Sequence, residues 1–308
     1  MRLNRFAFTM IELVFSIIVM GIIGKFGVEF LSQAYKSFIY TNVNHELQSN
    51  SATAVELIAS RLQYRIKDSV IARTTAAGVP VAIGSASGAN YKVLEWVGVD
   101  NEGFRGNSDS TVAPVFNKPN WSGILDLDAG NANALVSPET NTSAVDELIK
   151  ILSDNKSSIA DAALYFIGSN SDVKSGYGWD GNLTAINVQQ GTMHPITSVA
   201  GNENQFTSST GTDFSGIDIY EYYQLAWSAY ALVYESGTNN KGTLKLYWNY
   251  QPWKGENFSS ATDVKSAILM ENVDTFQFTS IGSILKIQVC VKSDLVEDYS
   301  ICKEKTIF

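Results

Sequence analysis

The stretch MRLNRFAFTMIELVFSIIVMGIIGKF sets the first constraint on this chain: a basic leader, then an apolar run broken early by one acid, Glu12. From Leu13 to Gly24 the only polar side chain is Ser16. An ionised carboxylate at bilayer depth costs roughly 2.5–3.5 kcal/mol on insertion scales, so it needs a compensating partner. Phe8–Gly24 spans about 25 Å as a helix, barely enough for a bilayer core. The helical pattern continues beyond it, because no proline precedes Pro80 and no glycine lies between Gly27 and Gly78. Leu31, Tyr35, Phe38, Leu47, Ala54, Ile58, Leu62 and Ile66 recur at threes, fours and their multiples. That spacing predicts one amphipathic face on a helix from about Phe8 to Ser69. Thr41–Asn44 is its weakest segment and the expected place for a bend.

Two ordinary readings leave Glu12 unexplained. A secretory signal needs a small-residue cleavage site, and Ser32-Gln33-Ala34 comes late, beyond Lys25 and Glu29. A plain membrane anchor, with Lys25 snorkelling at one end, accounts for the span alone. A third reading starts from Ala7 and the run Phe8-Thr9-Met10-Ile11-Glu12-Leu13. This resembles the class III signal of type IV pilins and type II secretion pseudopilins, whose leader ends in a small residue, usually Gly, where Ala7 stands here. The resemblance implies cleavage between Ala7 and Phe8 by a prepilin peptidase, N-methylation of Phe8, and Glu12 as the fifth residue of the mature chain. It implies other pilin or pseudopilin subunits, the peptidase/methyltransferase and an inner-membrane assembly platform as partners. The physical logic is that an ammonium exposed at Phe8 on a neighbouring subunit neutralises Glu12, so an unpaired acid favours assembly. Arg2 and Arg5 keep the N-terminus in the cytoplasm, leaving a single-pass inner-membrane protein with a periplasmic head, extracellular once in a filament.

With 45% hydrophobic and 11% aromatic residues, the rest of the chain can bury a substantial core. The expected division is a leader at 1–7, a transmembrane and amphipathic helix at 8–72, and a globular head at 73–308. Thr74–Asn90 reads as a loop and Tyr91–Val97 as a strand. Within the head, 75–216 reads as a large irregular insertion. It holds a short Ile124-Leu125 strand, a buried strand at Ala163–Ile167 and a helix started by a capping-box-like Ser143-Ala144-Val145-Asp146. Residues 217–308 are β-rich, with strands at Ile219–Tyr234, Leu244–Tyr250, Thr275–Ser280 and Ile284–Val291. Gly282-Ser283 suits a two-residue II′ hairpin turn. The fold class expected is α+β, the long helix covering an antiparallel, pilin-like sheet. Leu269–Phe276, a turn, then Leu285–Val289 is similar to the closing region of the larger minor pilins and pseudopilins, the J- or W-type.

Little of the sequence suggests chemistry. The formal charge of −9 falls by two more without Arg2 and Arg5, which argues against a general nucleic-acid surface. Arg61, Arg65, Lys67 and Arg73 read as cations near a helix C-terminus. Cys290 and Cys302 would pair in an oxidising periplasm, worth about 3 kcal/mol, or remain buried free thiols. His45 on the helix and His194 in a loop start no metal motif and are expected at the surface. No nucleophile-elbow, Walker or dinucleotide fingerprint occurs, so no enzymatic role is expected, although distant carboxylate pairs stay open. Asp126, Asp128 and Asn131 form a weak calcium-like loop, and since Gly130 stands where a third ligand belongs, a solvated loop is favoured and no cofactor is expected. Glu139–Ser143 and Asp180–Thr184 resemble an extended bacterial N-glycosylation acceptor. Trp121, Trp179 and Trp253 belong either to the core or to a carbohydrate-binding patch. The expectation is a minor pilin or pseudopilin. Its rivals are a pilus-tip adhesin or glycan-binding subunit, and a membrane-tethered periplasmic binding or catalytic domain.

Overall fold

The computed structural model describes residues 9–86, 90–108, 117–169, 172–182, 192–211, 213–238, 241–296 and 299–308. The Ala7–Phe8 junction lies outside them. Helix α1 (Met10–Leu62) runs unbroken for 53 residues, including Thr41–Asn44, and is about 80 Å long at 1.5 Å per residue. It stops at Leu62 rather than near Ser69. Arg65 folds its guanidinium back to donate to the Leu62 carbonyl at 2.7 Å, and Lys67–Ser69 forms a separate tight turn.

The helix buries one stripe in its second half: Val43, Leu47, Ala54, Val55, Ile58 and Leu62. Leu31, Tyr35 and Phe38 do not belong to that stripe, being 67%, 66% and 62% exposed. The step from Phe38 to Leu47 is about two and a half turns, which sets the two groups on opposite sides. The sequence spacing is helical in both halves, but the apolar face changes between them.

The strands, in chain order, are β1 (Ile71–Arg73), β2 (Val81–Ala82), β3 (Val93–Gly98), β4 (Asn107–Ser108), β5 (Asn117–Lys118), β6 (Asp126–Asn131), β7 (Ala134–Val136) and β8 (Ala163–Phe166). They continue as β9 (Met193–Val199), β10 (Asn202–Ser208), β11 (Tyr223–Ala226), β12 (Ser228–Glu235), β13 (Gly242–Tyr250), β14 (Lys265–Ile281), β15 (Ile284–Lys292) and β16 (Ser300–Ile307). Short helix α2 (Asn101–Arg105) follows β3, and α3 (Thr142–Ser153) follows β7.

The main sheet is antiparallel in the order β16-β15-β14-β13-β12-β3-β1-β2. β12 to β15 form the expected meander and β16 extends it, while the expected strand Ile219–Tyr234 divides into β11, outside this sheet, and β12. Its β14–β15 turn pairs Ile281 with Ile284, and Gly282 carries the positive φ (59°) that a II′ turn requires at its first position. The second half of α1 covers one face, packing on Leu285, Ile287, Val289 and Ile307. Because successive strand residues alternate in direction, Leu94 and Trp96 of β3 join this helix-side core while Val93 and Val97 join the core on the other face.

That other face is covered by the insertion, which is far more regular than the 75–216 expectation. β6–β11 build a second antiparallel sheet in the order β11-β8-β9-β10-β7-β6. It closes its own core with α3, through Val145, Ile149, Phe166, Phe206 and Trp227. The chain leaves the main sheet at Gly98 and returns at Ser228, and these two residues are direct register partners. The insertion is therefore an excursion from two adjacent strands with its ends held together, the arrangement that lets a unit be added to a domain without disturbing it. The cap of α3 also differs from expectation. Asn141, not Ser143, accepts the Ala144 N–H at 2.8 Å.

Candidate functional site

The first half of α1 is the least ordinary surface of the molecule. Met10, Ile11, Phe15, Ile18, Ile23 and Phe26 are exposed, and among the described residues no part of the head buries this end. Surfaces of this kind mark membrane or protein contacts. Among the described residues, α1 is the one helix long and apolar enough to cross a membrane. A run apolar all round, such as Leu13–Gly24, is matched to a surrounding without water.

Glu12 interrupts that surface at the first helical turn. Its carboxylate accepts the Thr9 N–H at 3.0 Å and the Thr9 hydroxyl at 2.8 Å. This follows from helix geometry: side chains lean toward the N-terminus, and an acid three residues past the cap reaches a backbone N–H that has no helical partner. Two neutral donors steady the carboxylate but supply no positive charge. Among the described residues Glu12 has no cationic partner.

The head end of α1 is fixed by specific contacts. Lys305 on β16 pairs with Glu56 at 2.7 Å. Arg65 reaches both the Leu62 carbonyl and the Ser283 carbonyl at 2.7 Å, tying the helix terminus to the β14–β15 turn. Cys290 and Cys302, facing each other on β15 and β16, are joined by a disulfide that ties the edge strand carrying Lys305 to its neighbour.

The other candidate residues fall elsewhere. Arg73 is not a helix-terminal cation but a buried partner of Glu95 at 2.6 Å, and it also donates to the Gly78 and Trp179 carbonyls. Burial pushes the Glu95 carboxyl up, while Arg73 and the Tyr250 hydroxyl pull it back. Trp121, Trp179 and Trp253 are buried and form no surface patch. Their indole N–H groups donate to Asp100, Ser69 and Asp161 carbonyls at 3.2, 2.9 and 3.0 Å. His194 is not at the surface either: it is buried, its ring 5.0 Å from that of Phe166. His45 is exposed on α1.

Asp126 and Asn131 stand at the two ends of β6, with Asp128 between them. Asp126 Oδ1 accepts the Asp128 and Ala129 N–H groups, and Asn131 Oδ1 those of Asn133 and Ala134, so both oxygens close local turns. Among the described residues no cluster of three or more His, Cys, Asp or Glu side chains has the placement of a metal site. Of the two glycan-acceptor stretches, Asn141 caps α3 and Asn182 is described, while Leu183 and Thr184 lie outside the described residues.

Asp100 is a site that sequence reasoning missed. It accepts the Gly103 N–H and the Trp121 indole N–H, both at 3.1 Å, and burial pushes its carboxyl up to about 6. A DNEG run offers no signal for this, because its burial depends on a tryptophan distant in sequence. No protein-family model matches this chain, and no curated protein or solved structure is significantly similar to it.

Proposed function

We propose that this chain is a minor pilin or pseudopilin subunit, a large one of the J- or W-type, which joins a type IV pilus or type II secretion filament through α1. The reading takes processing between Ala7 and Phe8 from the sequence resemblance. It takes the mode of assembly from the geometry: an antiparallel head that packs only the second half of α1 and leaves the first half bare. The observation that carries it is Glu12, the one acid between Met10 and Val28, which has no cationic partner among the described residues.

Inside a bilayer, lipid tails are as apolar as leucine, so the aliphatic surface of α1 gains little by meeting another helix there. A charge pair does gain. The amine created at Phe8 of an adjoining subunit would neutralise Glu12, setting the axial register of the two helices while excluding arrangements that strand either charge. Once the helix leaves the lipid, its exposed apolar residues require neighbours to cover them, and the filament core supplies these. The chain itself is a substrate and building block; the peptidase and assembly platform perform the chemistry.

The test is Glu12→Ala expressed beside the wild type. The variant should partition into the inner-membrane fraction as the wild type does and be depleted at least tenfold from sheared or purified filaments. Normal incorporation would remove the role given to the acid.

A further inference from the structure

Where α1 ends, the head opens into a cleft of about 710 Å³ between the helix terminus, α2 and β11. Junctions of this kind, apolar with a few convergent polar groups, are where proteins hold small ligands. Its apolar walls are aromatic and open to solvent: Tyr222 is 52% exposed and Phe104 48%. Phe104 is backed by Trp121 at 4.9 Å, which in turn lies 5.6 Å from Tyr223, so a column of rings supports it from behind. Tyr64 is held in place by Arg105, whose guanidinium sits 5.9 Å over its ring and donates to its hydroxyl at 3.2 Å.

The polar side of the cleft holds three amides beside charged groups. Gln63, Asn101 and Gln224 line it, and their side chains make no hydrogen bond among the described residues. Of the charged groups that line it, Arg65 donates to two carbonyls and Asp68 acts on the Tyr165 hydroxyl, while Lys67 is exposed and makes no ion pair among the described residues. β11 is an edge strand of the second sheet, but that edge is partly occupied. The Tyr223 N–H donates to the Gly123 carbonyl and the Leu225 carbonyl accepts from the Asp100 N–H, which leaves an extended peptide few groups to pair with.

We infer that this cleft is a saccharide-binding site. An amide both donates and accepts, as a sugar hydroxyl does, whereas carboxylates only accept and guanidinium groups only donate. Aromatic faces match the C–H faces of a sugar ring, which are apolar while its edges are polar. Uncommitted amides beside exposed, ring-backed aromatics match a hydroxylated ligand better than an apolar peptide. The inference is independent of the filament reading and stands or falls without it.

The full-length protein in a sugar-free detergent would be examined by saturation-transfer NMR with maltotriose, cellotriose, chitotriose and lactose. At least one should give transfer, with affinity reduced at least tenfold by Phe104→Ala and by Gln224→Ala. Trp248→Ala, a half-buried aromatic outside the cleft, should leave it unchanged. Gln224 is only partly buried, so a loss seen with Gln224→Ala but not Trp248→Ala separates a site effect from misfolding. No transfer from any of the four, or transfer unaffected by both cleft substitutions, overturns the inference.

Discussion

Arg73 on β1 donates its Nε to Glu95 Oε1 on β3 at 2.6 Å, with both side chains almost sealed from solvent. The two are diagonal neighbours across the strand pair, and the Tyr250 hydroxyl donates to the other Glu95 oxygen at 3.0 Å. Removing one member of such a pair leaves an uncompensated buried charge, at a cost of about 3–5 kcal/mol, whereas replacing both with apolar residues costs far less. Arg73→Met should therefore lower the urea midpoint of the head strongly. The double variant Arg73→Met/Glu95→Leu should recover much of the loss, with a coupling readable from the double-mutant cycle.

Asp100 makes the head sensitive to mild acid in a stated direction. Its folded value, pushed up to about 6 from an ordinary 3.8, means that the folded protein holds a proton which the unfolded chain releases. Stability from this group is fully present below pH 3.8 and is lost as pH rises through 6, by up to about 3 kcal/mol. Asp100→Asn should flatten that part of the stability–pH curve. Denaturant titrations at half-unit pH steps would check it.

The change of face along α1 separates the residues that pack the head from those the proposed filament would use. Ile58 is buried against the sheet, so Ile58→Ala should cost the head about 2–5 kcal/mol. Leu31, Tyr35 and Phe38 are exposed on the opposite side, and their replacement by serine should leave the head's unfolding midpoint unchanged. The same triple variant should incorporate poorly into filaments, as immunoblots of sheared filaments would show.

The Cys290–Cys302 disulfide closes a short loop and secures the edge strand β16 to β15. In the chain-entropy model a loop of this size contributes about 3 kcal/mol. Replacing both cysteines with serine should lower stability by about that amount. Hydrogen exchange should quicken first in Ser300–Ile307, because β16 has a strand neighbour on one side only.

The parts of this fold legible in the sequence are those that local rules decide. The helix follows from uninterrupted spacing without Gly or Pro, and the β14–β15 hairpin from one glycine that tolerates positive φ. Within the insertion only α3 and β8 were legible, and the rest was not, for a physical reason. β6 reads DLDAGN and β10 reads NENQFTS, polar strings without clean alternation, and their place is set by pairing with strands distant in sequence. The neck formed by Gly98 and Ser228 is likewise a long-range fact. His194 was misplaced because the sheet that buries it was not foreseen, whereas the three tryptophans take the core alternative. The helical stripes were merged because three- and four-residue steps were counted without following the accumulated rotation across the gap from Phe38 to Leu47. Of the candidate site, Glu12 was visible because charge inside an apolar run is a local anomaly, whereas Asp100 and the amide-lined cleft arise only when α2 and β11 come together.

The central claim is that Glu12 waits for an amine that processing creates on another subunit. Intact-mass and N-terminal peptide mass spectrometry of the protein from its membrane or filament tests it most directly. The account predicts a chain beginning at Phe8 with a methylated α-amine. A chain retaining Met1–Ala7, or one beginning at Tyr35, would contradict it.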